Sequence, residues 1–172
     1  MMILTTLLLA PEMMPSTPDL GKAEAQCRPG ESGPALLVGI EGLKDRGGRL
    51  KLEVYPSREG EFLADDNVLL SQGKTFRRVE QAPPASGPIQ ICVRVPRAGA
   101  YSESLLHDRD ADRKFGLSVD GIGFTGNPRL RLSKPSAAQT RIVAGAGLTR
   151  TEIVVNYRQG LFSFAPLKGR GQ

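Results

Sequence analysis

Tryptophan is absent from this sequence, histidine occurs once and cysteine twice. Each scarcity removes a class of chemistry. The lone His107 cannot build a multi-histidine zinc site, and Cys27 and Cys92 stand at a spacing that matches no metal motif. No apolar run reaches the length of a membrane-spanning helix, and no serine sits in a nucleophile-elbow context. The chain is basic, with net charge +5 and a pI near 9.5. Its Lys and Arg alternate with apolar residues instead of clustering with aromatics, the pattern of solvated outer faces. No nucleic-acid partner is expected.

What the sequence has in quantity is glycine (20) and proline (13), spread over 172 residues. Frequent turn formers between short apolar runs predict an all-β domain, with enough chain to bury a core. Strands are expected at 35–41, 49–55, 75–81, 89–95 and 101–106, with a short edge segment at 129–132. A final hairpin is expected at 140–144 and 149–156, around Gly145-Ala146-Gly147. Arg49 to Tyr55 alternates cleanly, with Leu50, Leu52 and Val54 inward and Arg49, Lys51 and Glu53 outward, a half-buried strand. Residues 57–73 are too apolar to lie free and predict a short helix or a packed loop. About seven strands make a single antiparallel β-sandwich the leading architecture. The domain reading is a leader over 1–34, the sandwich over 35–157 and a tail over 158–172.

The leader carries a compact apolar run, Ile3 to Ala10, of the kind found in the h-region of a secretory signal, although no Lys or Arg precedes it. Ala23-Glu24-Ala25 offers an A-x-A cleavage pattern. An exported protein with two cysteines is expected to carry one disulfide, Cys27–Cys92. Alternation places Cys92 with Gln90 and Arg94 on the face turned from the core, where a free thiol would be exposed. The expected location is periplasmic or secreted.

One stretch concentrates the chemistry. His107-Asp108-Arg109-Asp110-Ala111-Asp112-Arg113-Lys114-Phe115-Gly116 leads into Asp120-Gly121-Ile122-Gly123-Phe124-Thr125. Asp108, Asp110 and Asp112 stand at the spacing by which loops gather oxygen ligands around calcium. The sixth position, however, is Arg113 instead of Gly, and Asp120 falls one residue past the usual bidentate position. Arg109, Arg113 and Lys114 offer the competing explanation, a surface salt-bridge ladder that neutralises the aspartates without a metal. That explanation is preferred; no cofactor is expected, and calcium is the ion the spacing admits. His107 beside Asp108 invites a hydrolase reading, but neighbours on a strand point to opposite faces and pair poorly. A structural histidine bonded to loop backbone is the stronger reading. Glu103 shares its strand face with Tyr101, Leu105 and His107 and, if inward, requires a partner.

This stretch resembles the bacterial domain-of-unknown-function family 2141. The likeness rests on Gly99-Ala100-Tyr101 at a strand start, then His107-Asp108, then Asp110 and Asp112 at alternating acidic positions, then the Asp120 to Thr125 closure. Arg109, Arg113 and Lys114 depart from the Gly- and Asn-rich loop of the pattern. The resemblance implies an exported transthyretin-like or immunoglobulin-like sandwich and brings no activity with it. Tyr101, Phe115, Gly121, Gly123 and Phe124 are the expected anchors of the loop. The function expected is a non-catalytic binding or structural module of the envelope or exterior. Its contact region is 107–125, and its partner an envelope protein or polysaccharide. A hydrolase using His107 and a calcium-stabilised surface module are the alternatives.

Overall fold

A computed structural model describes residues 14–131, 133–161 and 163–167. The apolar run at 3–10 and residues 168–172 lie outside the described residues. The chain is all-β, with ten strands in two sheets among the described residues where the sequence predicts about seven in one sandwich. The smaller sheet has the order β4 (Ile89–Arg94), β1 (Ala35–Glu41), β8 (Leu148–Val154). The larger runs β10 (Phe164–Pro166), β9 (Asn156–Arg158), β6 (Gly121–Phe124), β5 (Gly99–Asp108), β2 (Arg49–Pro56), β3 (Arg77–Gln81). β7 (Arg141–Ala144) pairs with the first half of β5, and β6 with its second half.

The expected final hairpin does not form. β7 joins β5 in the larger sheet, whereas β8 pairs with β1, and in parallel. The antiparallel expectation is corrected at that one ladder. No strand forms at 129–131 among the described residues, and β9 and β10 occupy part of what reads as a tail.

Alternation explains which residues fill the core. Leu36, Val38 and Ile40 of β1 join Leu50, Leu52 and Val54 of β2 in one buried cluster that draws on both sheets. Burying each such side chain stabilises by roughly 1.5–3 kcal/mol. The opposite face of the larger sheet is also covered. Residues 57–76, with the short helix α1 (Asp66–Ser71), lay Phe62, Leu69 and Phe76 over Tyr55 and Phe124. Glu53 is therefore buried, not solvated as its alternation suggests. It meets the Tyr55 hydroxyl at 2.8 Å and the Arg78 guanidinium at 2.9 Å, and Arg78 also holds Asp66 at 3.0 Å. Arg78 donates further to the carbonyl of Thr17, which binds the N-terminal segment to β3.

Cys27 and Cys92 form the disulfide, with Cα atoms 5.7 Å apart. It straps residues 27–34 over the smaller sheet, where Arg94 bonds the Ser32 carbonyl and the Glu31 carboxylate. That strap is what buries Cys92. Among the described residues no helix is long and apolar enough to cross a membrane.

Candidate functional site

β5 is buried along nearly its whole length because both faces of its sheet are covered. Its inter-sheet face carries Tyr101, Glu103, Leu105 and His107 in sequence. Glu103 is fully buried, and neither carboxylate oxygen has a hydrogen-bond partner among the described residues. Burial alone pushes its carboxyl up to about 8. The partner that an inward Glu103 requires is not found among the described residues.

His107 is fully buried at the end of β5. Its Nε2 lies 3.0 Å from the Gly47 carbonyl and its Nδ1 2.5 Å from the Tyr157 hydroxyl. The carbonyl accepts only, so Nε2 carries the proton and Nδ1 accepts from Tyr157. The tyrosine oxygen in turn accepts the N–H of Lys44 at 3.0 Å. Burial holds the imidazole pKa below its ordinary value, consistent with a neutral ring. Both ring nitrogens are thus committed to tying the β1–β2 turn to β5 and β9. This arrangement leaves His107 no free lone pair for general-base work, and Asp108 is not its orienting partner.

The loop that follows is closed by its own carboxylates. Asp120 accepts from the N–H of Arg109 at 2.8 Å and of Gly116 at 2.7 Å, joining the two ends of the loop. Asp108 accepts from Arg113 N–H at 3.0 Å. Arg113 takes a left-handed backbone, φ 68°, so the sharp turn expected of glycine is made by arginine. Asp112 turns aside to the N–H of Lys114 at 2.7 Å. Asp108, Asp110 and Asp120 are the three that converge, one oxygen from each lying within 4.8 Å of the others. The spacing predicts Asp108, Asp110 and Asp112 as the trio; here the Asp112 carboxylate faces its own backbone, and Asp120 is the residue that converges with Asp108 and Asp110. Burial, with Asp120 and Asp110 beside it, holds Asp108 above the usual carboxylate range.

The expected salt-bridge ladder does not form either. The Arg109 guanidinium goes to Asp45, holding that carboxyl well below its ordinary range, and Arg113 leans toward Glu80 at 3.7 Å. Asp45, Gly47 and Tyr157 are the site residues the sequence reading misses, because all three lie far from the loop in sequence.

The anchors divide. Tyr101 is buried, with its hydroxyl donating to the Arg97 carbonyl at 2.9 Å, and Phe124 packs edge-on to Phe62 at 6.0 Å between centroids. Gly121 and Gly123 let β6 pass close to its neighbours. A Cβ on Gly121 would stand 2.5 Å from Tyr157 Cε1, and one on Gly123 2.4 Å from Ile153 Cγ2. Phe115 does not anchor. It remains 41 % exposed at the tip, tilted against Phe164 at 6.0 Å, since carboxylate-to-amide bonds already hold the loop. Leu117 is 56 % exposed beside it, and Arg158 reaches Ser118 at 3.4 Å, bringing the turn with Leu161, 75 % exposed, to the same end.

Two covered faces on the larger sheet, with one acidic loop clamped where its inner strand β5 turns into β6, define an all-β protein with its distinctive chemistry in a single connection. The chain belongs to the bacterial family DUF2141, described as an uncharacterized protein conserved in bacteria, whose profile matches residues 38–152. Comparison with curated proteins and with solved structures returns no match.

Proposed function

We propose that the protein is an exported, non-catalytic binding module of the bacterial envelope or exterior, built on a sandwich-type frame, with residues 107–125 as its contact region. The observation that carries this reading is the contrast between the loop's base and its tip. At the base, His107 and Asp120 are hydrogen-bonded into a fixed support. At the tip, Phe115 and Leu117 face solvent, with Leu161 on the neighbouring turn. A rigid support presenting apolar side chains suits recognition, since little ordering entropy is lost on binding. Apolar tip residues favour a protein partner over a polysaccharide.

The strapped N-terminal segment and its disulfide support the exported location, because such bonds persist in oxidising compartments. The test is retention of the purified, oxidised chain on bacterial envelope fractions, before and after protease treatment of those fractions. Retention by wild type is expected, with loss after proteolysis and loss in the Phe115→Ser/Leu117→Ser double variant. Equal retention by wild type and variant, or none by wild type, contradicts the proposal. Protease-resistant retention points to a polysaccharide instead.

A further inference from the structure

The arginines nearest the loop aspartates share their charge with other carboxylates. Arg109 is held by Asp45, while Arg49 and Arg113 stand 3.2 and 3.7 Å from Glu80. Arg49 Nε also makes a long ion pair with Asp108 Oδ2 at 3.8 Å, beyond hydrogen-bonding reach, which leaves Oδ1 untouched. What remains is the convergence of Asp108, Asp110 and Asp120, each with an oxygen within 4.8 Å of the other two. Independently of that proximity, Asp108 is only 1 % exposed and its Oδ1 has no hydrogen-bond partner among the described residues. A buried carboxylate oxygen without a donor is costly, and close carboxylates repel unless a cation lies among them.

We propose that Asp108, Asp110 and Asp120 form a binding site for a hard divalent cation, calcium foremost. An all-oxygen donor set selects calcium or magnesium over zinc or copper. Two oxygens on one calcium, each roughly 2.4 Å from it, stand at most about 4.8 Å apart, a limit the three residues meet. Calcium tolerates the irregular geometry of a loop, whereas magnesium demands a near-ideal octahedron. The backbone N–H groups of Arg109, Gly116 and Arg113 already orient Asp120 and Asp108, so the donors are placed before an ion arrives. A bound ion would cross-link the end of β5 to the start of β6. This goes beyond the contact-region proposal and does not depend on what the tip binds.

The experiment is a titration of the chelator-treated full chain with calcium and with magnesium, read by calorimetry and by the shift in Tm. Saturable binding at one site is expected, with a Tm raised by calcium more than by magnesium. Asp110→Asn, an exposed position, should weaken binding at least tenfold without disturbing the apo fold, and Asp112→Asn should leave it unchanged. Asp108→Asn should abolish binding; should that variant fail to fold, Asp110→Asn decides. Absence of saturation up to about ten millimolar calcium, or equal weakening by Asp110→Asn and Asp112→Asn, overturns the proposal.

Discussion

The Tyr157 hydroxyl lies 2.5 Å from His107 Nδ1, and this contact joins β9 to the end of β5 across 50 residues of chain. With Lys44 N–H on the tyrosine oxygen and the Gly47 carbonyl on Nε2, it makes a four-member hydrogen-bonded chain in which every polar group has a partner.

Removing the ring leaves the Tyr157 hydroxyl and the Gly47 carbonyl without their partner and opens a cavity. His107→Ala is expected to lower unfolding stability by about 2–4 kcal/mol in urea titrations. Nitrogen-15 NMR of the wild type should show the ring protonated at Nε2. An Nδ1-protonated ring, or unchanged stability in the variant, contradicts the clamp.

Glu103 makes stability depend on pH. Its folded pKa of about 8 lies above the ordinary 4.5, so the folded state holds a proton the unfolded chain has released. Stability is therefore full below about pH 4.5 and falls as pH rises toward 8, by on the order of a few kcal/mol from this group. Glu103→Leu should flatten that decline and stabilise the protein on the alkaline side. Identical pH–stability profiles for the two proteins would show that Glu103 is not buried as described.

The disulfide closes a loop with a sequence separation of 65, and by chain entropy contributes roughly 4 kcal/mol. Reduction, or paired Cys27→Ser/Cys92→Ser substitution, should lower Tm and expose residues 27–34 to protease. Two titratable thiols in the oxidised protein would refute the bond.

Gly121→Ala and Gly123→Ala should each destabilise by roughly 2 kcal/mol or more, because a Cβ would collide with Tyr157 and with Ile153 respectively. Thermal melts measure this. Neutral outcomes would mean that β6 has room the packing denies it.

Local alternation made β1, β2 and β4 legible, since each carries one apolar face flanked by turn formers. β6 was not, because four residues inside a glycine-rich acidic stretch have too little pattern to read. Gly145-Ala146-Gly147 marks a turn correctly but says nothing about which sheet each flank joins, and so β7 and β8 read as a hairpin. Glu53 reads as outward because the cover over it comes from residues 57–76, a long-range fact. The loop's concentration of charged side chains was visible in its composition, and His107 as a structural residue followed from its missing partners. Which aspartates converge was not readable: spacing brings in Asp112, whereas the path of the backbone substitutes Asp120.

Amide hydrogen exchange on the full oxidised chain, with and without the envelope fraction that retains it, addresses the contact region most directly. Peptides covering 107–125 should gain protection on binding, together with those spanning the turn that carries Leu161. Protection confined to another surface, with 107–125 unchanged, would contradict the assignment of this loop as the contact region.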